Sequence, residues 1–340
     1  MADLQTPHDR FFRDLFARPE AARDFVRHYL PTEVVECVDL NTLEPVPGSF
    51  VDPELREHLA DAVFSVSLKD GSDAYVYVLI EHKSHPDRFA AFQVLRYIVR
   101  LWERALRETG VNGLPAVIPV VLYHGRSEWR APRDVGDLVE APEGLAAYQP
   151  RLRYELCDLG RYGDEEIRGA AILQASLLVL KHIFREDLRQ ALPRALGLLR
   201  ELVDTASGLE AVEVLLRYVT VATDTVGPAD LERAVTEALG AKGEEIMPTI
   251  AQKWIEQGME KGLQRGLQQG LQQGLMEGQI KAAREDVIDA LEARFEPVPG
   301  DIVDRVRLAD DPAKLKILLR QAVRVENLDA FRKALRIVLG

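Results

Sequence analysis

Residues 59–68, LADAVFSVSL, and residues 74–83, AYVYVLIEHK, are the two stretches that decide the fold. Both are rich in β-branched and aromatic residues, and the KDGSD between them contains an Asp-Gly pair that is typical of a hairpin turn. A hairpin centred near Gly71 places Phe64 opposite Val78 on an apolar face. The sequence therefore predicts two antiparallel strands.

The same register brings charged side chains together at the open end of the hairpin. Asp61 is predicted to lie opposite Glu81, because both are ten positions from Gly71. Lys83 follows Glu81 by two residues and is predicted to point the same way, since side chains alternate along a strand. Two interpretations stay open: a functional cluster, or an ordinary charged end of an exposed strand.

This set of residues suits metal-dependent hydrolysis of a phosphodiester. Mg²⁺ prefers oxygen ligands and keeps several waters, so two carboxylates and a substrate phosphate can complete its coordination. We therefore predict that Asp61 and Glu81 are the metal ligands, with Mn²⁺ as an alternative ion. Lys83 is predicted to position the attacking water or to stabilise the charge that develops in the transition state.

These residues also resemble a known motif. Asp61, followed by the EHK at the end of the next strand, is similar to the PD-(D/E)XK motif of restriction-endonuclease-like nucleases. Gln93 and Tyr97 in FQVLRY fit the Gln-x-x-x-Tyr pattern that some of these nucleases carry on the following helix. The resemblance implies that both belong to the catalytic site. For Tyr97, a tyrosine of the core beside a polar neighbour is the alternative.

Three segments together resemble a narrower group, the bacterial recombination-promoting nuclease family. They are PHDRFF near the start, LIEHKSHPDRFAAFQVLRY, and PVVLYHG at residues 119–125. The resemblance implies an α/β fold with a restriction-endonuclease-like αββαβ core and a mixed sheet. It also implies a Mg²⁺-dependent DNA endonuclease acting in recombination or on mobile elements. Two departures stand out: many members have Gln at the position of Lys83, and the literal Pro-Asp dipeptide is absent before Asp61.

Composition limits the class of protein. The 340 residues are 47% hydrophobic, contain two cysteines and carry a formal net charge of −12. No apolar run approaches the length of a membrane helix, and the N-terminus lacks the apolar core of a signal peptide. We therefore predict a cytoplasmic protein without a membrane partner. The acidity argues against a general polyanion binder and favours weak or regulated affinity for DNA.

A row of arginines follows the hairpin on a predicted helix. Arg96, Arg100 and Arg104 recur every four residues and are predicted to share one helical face. One interpretation is a stripe that contacts DNA phosphates beside the site. The other is a solvated basic face.

The chain is predicted to comprise four parts. Residues 1–160 form the nuclease core, with helices at about 8–29 and 87–108 and a strand at 116–123. Residues 161–245 form a helical extension packed on it, and residues 281–340 a C-terminal helical module.

The fourth part, residues 246–280, lies between the helical extension and the C-terminal module. It contains a tandem repeat with glycine at every fourth position from Gly258 to Gly278, and leucines recur with the same spacing. Glycine costs about 1 kcal/mol relative to alanine within a helix. Close approach of a second helix would offset that cost, so we predict a homo-oligomer. A Gln-rich spacer is the alternative. The runner-up function for the whole chain is a catalytically weak DNA-binding or assembly protein that acts through this tail.

Overall fold

The structure is a computed structural model that describes residues 6–46, 62–70, 76–107 and 113–340. The chain divides into two compact units, Met1–Ile250 and Ala251–Gly340. The finer division predicted from the sequence, with boundaries after residues 160, 245 and 280, stays a prediction.

A mixed five-stranded sheet belongs to the first unit. Its strands are β1 (Val38–Pro45), β2 (Ala62–Leu68), β3 (Val76–Lys83), β4 (Ala116–Tyr123) and β5 (Glu155–Asp158). They lie side by side in chain order. The pairs β1–β2 and β2–β3 are antiparallel, whereas β3–β4 and β4–β5 are parallel. The predicted α/β class and mixed sheet are thus confirmed.

The hairpin of β2 and β3 has the register that the turn predicts. Phe64 lies opposite Val78, and Ala62 lies opposite Ile80. Phe64 is buried, as expected for the apolar face. The pairing is confirmed over these residues, whereas Asp61 and the turn at 71–75 lie outside the described residues.

A helix, α4 (Ala90–Ala105), connects β3 to β4 and makes their parallel pairing possible. Its buried face packs on the sheet, where Val94 and Ile98 share a core cluster with Val121 and Tyr123. The helix is shorter than predicted at both ends, because the residues just before Ala90 and just after Ala105 form turns.

Strand β4 has the predicted bounds, although Pro119 lacks the amide hydrogen that a central strand requires. The pairing explains why proline is tolerated there. β5 pairs with β4 only from Val120 onward, so a missing donor at Pro119 costs no bond to β5.

The predicted single helix at residues 8–29 is wrong. The structure has α1 (Pro7–Phe16) and α2 (Pro19–Tyr29), followed by the short α3 (Thr32–Cys37). Arg18 between the first two is extended, because the ring of a proline disfavours helical backbone at the residue before it. Thr6 caps α1 in a reciprocal capping box with Asp9.

Strand β1 was not predicted. Val38 and Leu43 are its fully buried positions, and the register shifts between Asp39 and Glu44. This irregularity removes the strict alternation by which a half-buried strand is recognised in a sequence.

The segment after residue 164 is largely helical, as its pattern predicts, with helices α5 (Ala171–His182), α6 (Leu188–Gly197), α7 (Ala206–Ala222) and α8 (Pro228–Leu239). Most of α5 is buried, including Leu173, Leu177 and Leu180. Helical structure was predicted from Asp164, but residues 164–166 form a short 3₁₀ turn instead.

Asp164 is the centre of a charged network that joins this turn to α5 and α6. Its Oδ1 accepts hydrogen bonds from Lys181 Nζ at 2.6 Å and from His182 Nε2 at 2.9 Å. Its Oδ2 accepts one from Arg194 Nη2 at 2.7 Å. Burial raises the pKa of Asp164, but the hydrogen bonds from Lys181 and His182 outweigh burial and lower the pKa to about 2. Lys181 and His182 are both buried, and Asp164 contacts both of them.

We expect Asp164→Asn to lower the free energy of unfolding by about 2 kcal/mol near neutral pH, because a buried lysine loses its anionic partner while the partial exposure of Asp164 screens the effect. The folded pKa lies below the ordinary value. The contribution of Asp164 is therefore fully present above about pH 4 and is lost as the pH falls toward 2. The difference between wild type and variant, measured by urea unfolding, should shrink over that range.

A matched control is Glu210→Gln, which removes an exposed carboxylate that also lies 2.8 Å from an arginine, Arg18. This variant should unfold close to wild type. Equal stability of Asp164→Asn and Glu210→Gln would contradict the role given to the network.

The C-terminal part is helical, as predicted, with α9 (Ala241–Glu292), α10 (Gly300–Leu308), α11 (Pro312–Arg324) and α12 (Leu328–Leu339). In the second unit, the end of α9 packs with the last three helices around Leu291, Leu315 and Phe331, all fully buried. The glycine repeat lies within α9. None of the described helices is both long and apolar enough to cross a membrane.

Candidate active site

Lys83 is the last residue of β3, where the parallel part of the sheet ends. It lies in register with Tyr123 of β4, and its carbonyl oxygen accepts a hydrogen bond from the His124 amide at 3.2 Å. Glu81 is two residues earlier on the same strand. Strand alternation predicts that Glu81 and Lys83 share a face. The description of Glu81 is confined to its main chain, and Asp61 lies outside the described residues.

Two described residues hold the ammonium group of Lys83. Asp87 lies just before α4, and Gln93 lies in the first turn of that helix. Lys83 Nζ donates to Gln93 Oε1 at 2.6 Å, and Gln93 Nε2 donates to Asp87 Oδ2 at 2.7 Å. Asp87 Oδ2 also lies 3.6 Å from Lys83 Nζ. The lysine side chain is only 14% exposed. Three polar groups thus close a triangle in which each fixes the orientation of the next.

Asp87 is a member of this triangle that the sequence analysis missed. Its Oδ1 accepts a hydrogen bond from the Phe89 amide at 2.9 Å, so the same carboxylate also fixes the turn into α4. A signal was available, because an aspartate just before a helix commonly bonds to the first free amides of that helix. That signal explains the position of Asp87 but not its contact with Lys83.

Gln93 and Tyr97 lie one turn apart on α4 but have different surroundings. Gln93 accepts a hydrogen bond from Lys83, whereas Tyr97 is 8% exposed and belongs to the core cluster beneath the helix. These surroundings agree with the core alternative for Tyr97. A catalytic role for either residue stays a prediction.

The three arginines predicted to bind DNA differ in their surroundings. Arg96 is exposed, and Arg104 is half-buried. Arg100 Nη1 lies 2.8 Å from Glu103 Oε2. A phosphate that binds Arg100 must therefore compete with this carboxylate, whereas Arg96 forms no ion pair with a described residue.

Further polar residues lie at the same edge of the sheet. The His124 ring is buried, stacks on Phe184 and lies 3.1 Å from the Leu180 carbonyl oxygen through Nδ1. Asp158 ends β5, and burial raises its pKa although the Gly160 amide and Arg161 act in the opposite direction.

A second imidazole packs against this histidine. The His8 ring centre lies 5.4 Å from that of His124, and His8 Nδ1 lies 2.7 Å from the hydroxyl of Tyr218. Burial raises the pKa of Tyr218 well above its usual value, so the hydroxyl stays protonated.

Among the described residues, no group of three or more His, Cys, Asp or Glu side chains suits a metal ion. Asp61 and the side chain of Glu81 lie outside that described part. The two predicted ligands are therefore the residues on which a metal role depends.

Comparison with known proteins identifies the family. A family described as "Putative transposase, YhgA-like" matches residues 6–210, which span both α1 and the Lys83 region. The chain belongs to this family.

Relatives of this YhgA-like chain carry informative names. Recombination-promoting nuclease RpnC of Escherichia coli strain K12 is 35% identical over 265 residues, covering 76% of this chain and 84% of RpnC. Recombination-promoting nuclease RpnD of Escherichia coli O157:H7 is 32% identical over 253 residues, covering 73% of this chain and 94% of RpnD.

A third relative has a different name. Inactive recombination-promoting nuclease-like protein RpnE of strain K12 is 30% identical over 257 residues, covering 74% of this chain and 83% of RpnE. The YhgA-like family thus includes proteins named as active and as inactive. No solved structure matches the chain significantly.

Proposed function

We propose that this chain is a divalent-metal-dependent DNA endonuclease with a restriction-endonuclease-like core and a role in DNA recombination. The observation that carries the proposal is Lys83, held by Gln93 and Asp87 at the carboxyl end of β3. Two close relatives are named recombination-promoting nucleases. The order α1, β2–β3 hairpin, α4 and β4 is compatible with the αββαβ core.

In this proposal Asp61 and Glu81 would hold Mg²⁺ or Mn²⁺. Their carboxylate oxygens are the donor type that these ions prefer, and the neighbouring Asp87 is already engaged by Gln93. When bound, the ion supplies Lewis acidity and lowers the pKa of a water that attacks phosphorus. Lys83 offers a positive charge close to the scissile phosphate, and the Gln93 amide keeps the lysine from swinging away.

The exposed Arg96, with Arg100 and Arg104 along the same helix, would contact phosphates of the substrate. Because Arg100 is paired with Glu103, we expect Arg96 to contribute most of the three. The net charge of −12 favours modest affinity for DNA that depends strongly on salt. DNA as substrate also agrees with the cytoplasmic location predicted from the sequence.

The experiment that tests this proposal is cleavage of a supercoiled plasmid by the full chain. Nicked or linear product should form with Mg²⁺ or Mn²⁺ and should be absent with EDTA. The proposal would be overturned if no product forms with Mg²⁺ and none forms with Mn²⁺. It would also be overturned if EDTA leaves cleavage unchanged.

A second candidate function is assembly through α9 with weak or no catalysis. One relative is named inactive, which supports this candidate. The repeat supports it as well. Four leucines in step are exposed in the chain by 60–74%: Leu263, Leu267, Leu271 and Leu275. A row of apolar side chains exposed to this degree suits contact with a second copy of the same helix. We therefore propose self-association through Gly258–Gly278, which is compatible with either function.

Replacing Gly266, Gly270 and Gly274 together with alanine should weaken self-association while keeping or increasing helix content. An added Cβ meets no atom within 4 Å at these positions in the chain itself, so alanine fits the isolated helix. Each substitution should favour the helix by about 1 kcal/mol, but together they fill the groove that a partner would approach. Circular dichroism measures the first effect and analytical ultracentrifugation the second.

Gln268→Ala with Gln272→Ala is a matched control, because both positions are exposed and face away from the glycines at 100° per residue. This variant should associate as wild type does. A monomeric wild type at high concentration, or a glycine variant as oligomeric as the control, would show that the repeat does not join two chains.

A further inference from the structure

An open groove of about 490 Å³ lies beside the Lys83 triangle. Phe89 and Phe92 form one wall, and Leu138 and Val139 contribute to the other. Phe89 is 54% exposed and Phe92 is 48% exposed. Phenylalanine side chains are usually among the more buried ones, so two exposed rings in one groove indicate a binding surface.

The groove is continuous with the candidate active site through one residue. Phe89, Gln93 and Arg96 are spaced by four and then three residues, so they follow one face of α4. Gln93 lines the groove and also accepts the hydrogen bond from Lys83 Nζ at 2.6 Å. A molecule in the groove would therefore lie one side chain away from Lys83.

The rim of the groove is cationic. Arg96 lines it directly, and the guanidinium carbon of Arg88 lies 5.9 Å from the centre of the Phe89 ring. Aromatic faces beside guanidinium groups are the combination that binds unpaired nucleotides, with bases stacking on the rings and phosphates meeting the cations. An apolar protein segment would offer these two arginines no anionic group to pair with.

We propose that this groove binds an unpaired nucleobase of the DNA substrate, stacked on Phe89 or Phe92, with the adjoining phosphates on Arg88 and Arg96. The inference rests on the proposed nuclease function and defines its substrate class further. The preferred substrate is single-stranded DNA, or a duplex with a gap or bulge, so that an extruded base anchors the strand whose backbone reaches Lys83.

Binding in EDTA tests the platform without requiring catalysis. The probes are three oligonucleotides of equal length: a single strand, a duplex with a one-nucleotide bulge, and a fully paired duplex. The unpaired base of the first two is 2-aminopurine, whose fluorescence is quenched when it stacks. Wild type should bind both unpaired probes at least tenfold more tightly than the paired duplex and should quench their fluorescence.

Phe89→Leu combined with Phe92→Leu should weaken binding of the unpaired probes on the order of tenfold and abolish quenching, because leucine keeps apolar surface but has no aromatic face. The matched control is Tyr148→Leu, an exposed aromatic residue outside the groove. Circular dichroism of each variant checks that the fold is kept.

Equal affinity for paired and unpaired probes, or unchanged quenching in the double variant, overturns the platform and leaves the nuclease proposal standing if plasmid cleavage needs metal. Preferential, quenching-linked binding by a protein that cleaves no DNA supports the platform and overturns the nuclease instead. Tight binding of the unpaired probes that the double variant retains would assign the groove to another ligand.

Discussion

Glu81→Gln and Asp61→Asn are each expected to lower plasmid cleavage by at least ~10³-fold, which corresponds to roughly 4 kcal/mol in the barrier. Each substitution keeps the size and shape of the side chain but removes the charge with which a carboxylate binds Mg²⁺. The loss should appear at saturating Mg²⁺, measured as initial nicking rates at equal protein concentration.

The fold should survive both changes, since the two residues are predicted to end the hairpin and not to support its core. Thermal unfolding in EDTA should match wild type or be slightly improved, because clustered carboxylates repel each other. Glu232→Gln, which removes an exposed carboxylate of α8, is the control for charge and should cleave normally. Wild-type rates in both Glu81→Gln and Asp61→Asn would remove these residues from the site.

Lys83→Gln is expected to lower the cleavage rate ~10²-fold, about 3 kcal/mol, without abolishing cleavage. The variant loses one charge-stabilising donor, whereas the carboxylates that would hold the ion are untouched. Glutamine is also the residue that many relatives are expected to have at this position. Single-turnover rates with saturating Mg²⁺ measure the loss.

Gln93→Ala separates position from charge in the same experiment. It removes the acceptor 2.6 Å from Lys83 Nζ but keeps the ammonium group, so we expect a smaller loss, on the order of tenfold. Arg233→Ala, which removes an exposed cation of α8, is the control and should cleave normally. If Lys83→Gln is as inactive as Glu81→Gln, the lysine is indispensable to the chemistry. If Gln93→Ala is fully active, the triangle has no catalytic purpose.

The hairpin and β4 could be predicted from the sequence because local rules decide them. The Asp-Gly pair in the sequence predicts the register found between β2 and β3, and a shift of one residue would move Phe64 from the buried face to the opposite one. For β4, a short apolar run bounded by turn residues was sufficient. In both elements the local pattern and the tertiary burial agree.

Other elements depend on contacts that local patterns do not contain. Pro19 is a local signal for a helix break that the prediction of one helix over residues 8–29 overlooks. Strand β1 is held by pairing with β2 despite its interrupted alternation. At the site, the contact of Asp87 with Lys83 and Gln93 arises only when the turn after β3 folds back onto α4.

The network of Asp164 is similarly invisible in the sequence. Its partners Lys181, His182 and Arg194 are 17 to 30 positions away, and no spacing rule connects them. Long-range ion pairs follow from how helices pack, which a single sequence does not reveal.

The most direct test of the central claim, a metal-binding nuclease site at Asp61 and Glu81, is a Mn²⁺ titration followed by electron paramagnetic resonance. Wild type and Lys83→Gln should bind Mn²⁺, and excess Mg²⁺ should displace it, whereas Asp61→Asn and Glu81→Gln should lose this binding. The account would be contradicted if wild type and both carboxylate variants bind Mn²⁺ equally well. It would also be contradicted if wild type binds no Mn²⁺ even when DNA is present.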